Sequence, residues 1–215
     1  DLSAFACLDQ LEWLRLSHNP VSDLTPLAKL KNLQVLSLYG VPKTKDVNSR
    51  ITDLKPLSKL INLWSLALDE HSISDLSPIS QLSNLRTLYI TRNKVTDVSD
   101  LSSLAGLKSL FLSHNQISQI SPLSDLQQLE WLRLTGNKIS DLWPLSGLVN
   151  IEQLHLEGNQ ISNLAPLARL EQLRELKLGK NQVANLSPLA GLSYMRELHL
   201  NHNQYIEDIS PLVGM

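Results

Sequence analysis

The sequence predicts an elongated α/β solenoid, in which a parallel β-sheet lines the concave face and short 3₁₀ or helical segments line the convex face. Three observations predict this fold. The chain matches itself at a shift of 22 residues over almost its whole length, and most copies contain an L-x-L run followed by a segment close to D-L-x-P-L. Apolar residues make up 42% of the chain but aromatic residues only 5%, as in stacked repeats whose core is filled by one residue type.

The repeat unit reads L-x-x-L-x-L-x-x-N-x-I-x-D-L-x-P-L-x-x-L-x-N. Residues 1–10 match the back half of a further unit, and units begin at Leu11, Leu33, Leu63, Leu85, Leu107, Leu129, Ile151, Leu173 and Met195, the last of which stops at Met215. We therefore predict one leucine-rich-repeat domain over residues 1–215, a horseshoe of about nine repeats and a partial one. Because both ends fall inside a repeat, we expect this segment to be part of a longer multidomain chain.

Each unit predicts one coil of the solenoid. Its L-x-L core alternates with period two, as a strand does, and its proline suits the first turn of a helix or 3₁₀ segment. Parallel strands lie about 4.8 Å apart, so nine coils predict a sheet on the order of 40 Å long. Stacking buries leucines that no coil could bury alone, which in the first coil are Leu14, Leu16, Leu24, Leu27 and Leu30.

An asparagine follows the strand in most units, where its amide can donate to and accept from unpaired backbone groups. We interpret this column as a buried structural ladder rather than a row of ligand-binding amides. His71 replaces asparagine in the third complete unit and can likewise donate and accept. The members of the column are Asn19, Asn93, Asn115, Asn137, Asn159, Asn181 and Asn203.

The third, fifth and seventh residues of each unit point away from the leucine core, toward the concave face. Tyr89, Phe111, Trp131 and Arg133 lie on three successive strands, so we predict one continuous patch of the residue types that most often dominate interfaces. A second group, formed by Trp13, Arg15 and Tyr39 with Trp64 beside it, lies toward the N-terminus, and the C-terminal third is charged. The predicted partner-binding residues are Trp13, Arg15, Tyr39, Tyr89, Phe111, Trp131, Arg133, His155 and Lys177.

Three further features qualify or extend this interpretation. Residues 10–16 and 128–134 are the identical string QLEWLRL, and repeat duplication can copy a tryptophan without any role in contact. The second unit holds eight extra residues within 39–50, which form either a neutral surface bulge or a basic finger with Lys43, Lys45 and Arg50. Trp143 lies on the convex side, where we expect it to pack against a neighbouring coil.

Several classes of function are disfavoured. Nineteen basic and twenty-one acidic residues supply no broad positive field, so we expect no nucleic-acid partner. No apolar run is long enough for membrane insertion by this segment. Nucleophile, phosphate and metalloprotease motifs are lacking and Cys7 is the single cysteine, so we expect no enzyme and no cofactor.

The best candidate for a metal site combines His155 and His199 with Glu157 or Glu175. The two histidines belong to one column but lie two coils apart, about 10 Å by strand spacing. Lys177 occupies the position between them, and its positive charge opposes a divalent cation. We therefore expect no metal.

Repeats such as LEWLRLTGNKISDLWPLSGL at 129–148 and LRELKLGKNQVANLSPLAGL at 173–192 resemble the internalin-type class of bacterial leucine-rich repeats. That class shares the 22-residue length and the I-x-D-L-x-P-L convex segment. The resemblance implies a protein-binding module whose concave face binds a partner protein, as bacterial adhesion or invasion factors bind a host protein. It also implies a cell-surface or secreted location.

Two alternatives remain open. The solenoid could serve in the cytoplasm as the scaffold or sensor arm of a multidomain signalling or phosphatase-regulating protein. Aromatic faces also stack on sugar rings, so a glycan-binding surface is the second alternative.

Overall fold

The computed structural model describes residues 2–40 and 50–214, in which nine three-residue strands form one parallel sheet in chain order. Each pair aligns the central leucines, from Leu14 opposite Leu36 to Leu176 opposite Leu198. This arrangement confirms the predicted solenoid. The strands are β1 Trp13–Arg15, β2 Val35–Ser37, β3 Ser65–Ala67, β4 Thr87–Tyr89, β5 Ser109–Phe111, β6 Trp131–Arg133, β7 Gln153–His155, β8 Glu175–Lys177 and β9 Glu197–His199.

The return path of each coil contains a short 3₁₀ turn, and proline stands in its first positions in most coils. The repeated acidic residue of the unit caps this turn: the Asp23 carboxylate accepts a 2.8 Å hydrogen bond from the Thr25 amide. The 3₁₀ turns are Ser3–Cys7, Thr25–Lys29, Lys55–Leu57, Ser77–Ile79, Ser99–Ser103, Ser121–Asp125, Trp143–Leu145, Ala165–Arg169, Ser187–Leu189 and Ser210–Leu212.

The core is one continuous stack of leucine, isoleucine and valine side chains between the sheet and the 3₁₀ turns. In the first complete coil Leu14, Leu24, Leu27 and Leu30 are buried. Leu16 is only partly buried, because β1 is an edge strand with a neighbour on one side. The predicted core positions are otherwise confirmed.

The asparagine ladder is present and buried over most of its length. Asn137 represents it: its amide nitrogen donates to the carbonyls of Leu112 and Leu134 at 3.1 and 2.9 Å, and its oxygen accepts from the Ile117 amide at 3.0 Å. Six members, from Asn93 to Asn203, are each 8% exposed. The exception is Asn19, which is exposed and donates only to carbonyls of its own coil.

His71 takes the asparagine position in its coil, as predicted. It is buried, its Nδ1 lies 3.3 Å from the Ile51 amide that donates to it, and its Nε2 contacts the Leu38 carbonyl. Because Nδ1 accepts, Nε2 carries the proton and the ring is neutral in this arrangement. Burial accordingly lowers the pKa of the imidazole.

A second asparagine ladder, which the sequence analysis missed, lies before the strands, at their N-terminal ends. The asparagine that precedes a new unit donates to a carbonyl of the preceding coil, as Asn62 does to Lys31 at 2.8 Å. Asn32, Asn84 and Asn150 repeat this bond to the coil before each of them. The final asparagine of the unit therefore fastens successive coils together.

Two further points concern predictions about the chain as a whole. Within residues 2–40 and 50–214, no helix is long and apolar enough to span a bilayer. The inserted loop with Lys43 and Lys45 falls on residues 41–49, outside the described residues.

Candidate functional site

A stack of aromatic side chains lines the middle of the concave face, built from the fifth and seventh residues of successive units. The rings of Tyr89 and Phe111 are parallel within 5° and 4.4 Å apart, because β4 and β5 place these two residues side by side. The ring of Tyr39 lies 6.4 Å from that of Tyr89 and is tilted by 47° to it. The three rings form part of the lining of an open groove of about 500 Å³ on the concave face.

Arg133 closes the other end of the stack. Its guanidinium carbon lies 5.1 Å from the centre of the Phe111 ring, which is the geometry of a cation–π contact. Tyr89, Phe111 and Arg133 therefore form the continuous arrangement that their column predicted. Tyr39, assigned from the sequence to the N-terminal group, joins this central stack instead.

Phe111 departs from the expectation that it is an exposed anchor. Tyr89 covers one face of its ring and Arg133 the other, so the residue is only 7% exposed. A partner on the concave face would therefore meet the edge of Phe111 and the exposed parts of its two neighbours. Truncation of Phe111 is therefore expected to affect folding as well as binding.

The two tryptophans of the duplicated string lie on the concave face with large exposed surfaces. Trp131 in β6 is 43% exposed and Trp13 in β1 is 58% exposed. Arg15 stands beside Trp13 with its guanidinium carbon 6.0 Å from the indole ring. Trp64, on the residue before β3, is also exposed, so tryptophan is accessible at three places along the sheet.

The C-terminal third of the concave face holds a chain of charged groups that satisfy one another. Glu175 accepts from His155 Nε2 and from Lys177 Nζ, both at 2.7 Å. Glu197 accepts from Lys177 at 3.0 Å and from His199 at 2.9 Å. His155 and Lys177, predicted as partner-binding residues, are thus already engaged with glutamates of their own chain.

The protonation of this chain of groups follows from burial and hydrogen bonding. Burial lowers the pKa of His155, although Glu175 acts in the opposite direction, so neutral His155 donates to the carboxylate. Burial alone would raise the pKa of Glu175, but hydrogen bonds from Lys177 and His155 hold it below its usual value. The hydrogen bond to Glu175 raises the pKa of Lys177.

The described part of the chain contains no group of three or more histidine, cysteine, aspartate or glutamate residues arranged to hold a metal ion. At the candidate suggested by the sequence, Lys177 lies between the two histidines and forms ion pairs with Glu175 and Glu197. Cys7 is exposed on the first 3₁₀ turn.

Asp69 is a feature of the groove that the sequence analysis did not single out. It is 4% exposed; its Oδ1 accepts from the Thr91 amide, and its Oδ2 is buried without a hydrogen-bond partner among the described residues. Burial raises the pKa of this carboxyl, and burial beside Asp69 raises the pKa of Tyr39. The available signal was its place in the seventh-residue column, next to Tyr39.

Trp143 does not pack as predicted. It begins a convex 3₁₀ turn and is 60% exposed, because the core beneath the turn is already filled by Leu142 and Leu145. The expectation that it packs against a neighbouring coil was wrong.

Comparisons with known proteins agree with this architecture. The leucine-rich-repeat family model matches residues 61–117 and 83–139, and a model of two leucine-rich-repeat copies matches residues 9–49, 127–169 and 171–214. A search of curated protein sequences gives no match.

Solved structures of bacterial proteins are similar over most of the chain. An internalin, InlF, from Listeria monocytogenes is 33% identical, with 99% of this chain and 67% of that chain covered and a TM-score of 0.84. Internalin C2 from the same organism is 34% identical, with coverage of 90% and 82% and a TM-score of 0.83. A leucine-rich-repeat protein of Leptospira interrogans is 26% identical, with coverage of 93% and 51% and a TM-score of 0.83. The chain belongs to the internalin-type family of leucine-rich-repeat proteins.

Proposed function

We propose that the chain is a non-enzymatic recognition module that binds a partner protein on its concave face. Leucine-rich-repeat domains are typically protein-binding modules, and the internalin relatives belong to this class. The observation that carries the proposal is the aromatic surface on the sheet, in which Tyr89 and Phe111 stack, Tyr39 lies beside Tyr89, and Trp131 is exposed on the next strand. Exposed aromatic clusters on one face are costly in water unless a partner covers them.

Within this surface, the exposed side chains are the proposed anchors. Trp131 is expected to contribute most, because its indole lies on the concave face and is 43% exposed. Tyr89 is half-buried and offers the ring face that Phe111 does not cover. Trp13 and Arg15 supply a second contact area at the N-terminal edge of the sheet.

The test is a partner identified by affinity capture and crosslinking, followed by calorimetric titration of purified variants. Trp131→Ala and Tyr89→Ala should each weaken binding by about 30-fold, which is about 2 kcal/mol, as the truncation of an interface hot spot does. Trp143→Ala is the matched control, because that tryptophan is also exposed but lies on the convex side.

Equal affinity of wild type, Trp131→Ala and Tyr89→Ala for the partner would contradict the proposal. Binding of an oligosaccharide at the same tryptophan, with no protein ligand captured, would instead favour the glycan-binding alternative.

A further inference from the structure

The charges on the concave face are distributed unevenly along the sheet. From β7 to β9 each glutamate accepts from two basic groups of the same chain. From β1 to β6 the third and fifth residues include no acidic residue, yet they include Arg15 and Arg133. The acidic residue at the seventh position of these units is Asp69, which is buried. Over the described part of the chain, neither of these arginines has a carboxylate within ion-pair distance.

The surroundings of Arg133 explain why it has no acidic partner. In its column it stands between Phe111 of β5 and His155 of β7. Phe111 offers only a ring face, and His155 is itself bonded to Glu175, an acidic residue of the adjoining column that also binds Lys177. The guanidinium is therefore exposed, orientated by the ring beneath it, and has its N–H donors free.

We propose that the partner presents an acidic surface to this face, with one carboxylate bound by Arg133 and a second bound by Arg15. This inference rests on the proposed function and specifies the chemistry of the partner. A guanidinium that is already stacked on a ring loses little further side-chain freedom when it binds, and its planar fork matches the two oxygens of a carboxylate.

The duplicated string places the second arginine in an equivalent setting. Arg15 and Trp13 occupy in β1 the positions that Arg133 and Trp131 occupy in β6, and Arg15 stands near an aromatic ring as Arg133 does. The two strands are five spacings apart, which is about 24 Å at the usual spacing of parallel strands. Between them the columns contain mostly small side chains, so a partner surface can reach both arginines at once.

The observations favour the carboxylates of a protein over phosphate groups. A phosphate dianion is usually bound by several cationic groups together, whereas each of these sites provides one guanidinium. His155, the basic residue next to Arg133, has a pKa lowered by burial, and its Nε2 already donates a hydrogen bond to Glu175. One positive charge beside an aromatic ring matches a glutamate or aspartate with an apolar neighbour.

The test uses a displayed library of random peptides, selected on immobilised wild-type protein and on two variants. We expect aspartate and glutamate to be enriched in the peptides selected on wild type, and the enrichment to disappear when Arg15→Gln and Arg133→Gln are combined. The control is Arg174→Gln, which removes an exposed guanidinium that already contacts Glu152 of its own chain at 3.8 Å. This variant should select the same acidic peptides as wild type.

The strongest peptide is then made again with each acidic residue changed to its amide, and affinities are measured by calorimetry. Arg133→Gln should weaken binding of the acidic peptide by at least about tenfold, as loss of a charge-assisted hydrogen bond does. Arg133→Gln should have little effect on the affinity of one amide version of the peptide, namely the version that lacks the carboxylate bound by Arg133. Arg133→Lys should recover only part of the loss, because ammonium lacks the planar fork.

Two results would overturn the inference. The first is a set of selected peptides with no enrichment of acidic residues, or with enrichment of lysine and arginine. The second is equal binding by wild type and Arg133→Gln while Trp131→Ala abolishes binding, which would leave the proposed function intact. If Trp131→Ala and Tyr89→Ala also bind as wild type does, the concave face is not the binding surface and the proposed function itself fails.

Discussion

Asn137→Ala should destabilise the protein by an amount that can be worked out from three hydrogen bonds. Asn137 donates to the carbonyls of Leu112 and Leu134 and accepts from the Ile117 amide. The two carbonyls keep other partners in the variant, because Asn115 also donates to Leu112 and Asn159 also donates to Leu134. The Ile117 amide loses its acceptor and is left unpaired inside the core.

The expected cost is therefore about 2 kcal/mol rather than three times that value. One buried donor without a partner costs about 1 to 3 kcal/mol, and the two lost bonds to carbonyls that remain paired add little. Asn19→Ala is the matched control, since Asn19 is exposed and bonds only to carbonyls of its own coil. That change should cost about 0.5 kcal/mol or less.

Urea denaturation followed by tryptophan fluorescence measures both variants. The midpoint of Asn137→Ala should fall well below that of wild type, and the midpoint of Asn19→Ala should stay close to it. Equal midpoints for the two variants would refute the argument, because they would mean that the ladder amide contributes nothing beyond its own coil.

Three other predictions concern single side chains. Since burial lowers the pKa of His71, its contribution to stability is present above the unfolded-state pKa of about 6.5 and is lost as the pH falls below it. The midpoint of His71→Asn should therefore fall less than that of wild type between about pH 7 and 5; parallel curves would contradict this. Phe111→Ala should cost about 2 kcal/mol, the sum of an aromatic pair and a cation–π contact, and an unchanged denaturation midpoint would show that the stack adds nothing. Trp143→Ser should change the free energy of unfolding by about 0.5 kcal/mol or less, and a larger loss by the same assay would mean that the indole packs on the core.

The sequence was sufficient to predict the fold because the coils repeat the same arrangement of leucines and ladder residue. The spacing of leucines determines which side chains face inward, and the ladder asparagine recurs at a position where it can bond backbone groups of two coils. The position of His71 in that column was enough to predict its role, since an imidazole can both donate and accept. In these cases the chemistry depends on the place of a residue within the unit.

The state of the concave residues depends instead on their neighbours in adjacent coils. Phe111 occupies an outward position, yet Tyr89 and Arg133 bury it from both sides. His155 occupies the same column and is engaged by Glu175, which belongs to the adjoining column of the next coil. The pattern of one unit cannot predict such contacts, because they depend on rotamers and on pairs of residues about one repeat apart.

The order of residues along a column decides whether the charged groups of the concave face pair with one another or are available to bind a partner. Parallel strands bring side chains of successive coils to about 4.8 Å, close enough for opposite charges to neutralise each other. That is what Glu175 and Glu197 do with Lys177. Arg133 has no acidic partner, because Phe111 lies on one side of it and His155, which is already bonded to Glu175, lies on the other. A nearly neutral chain can therefore still offer a local, orientated positive charge to a partner.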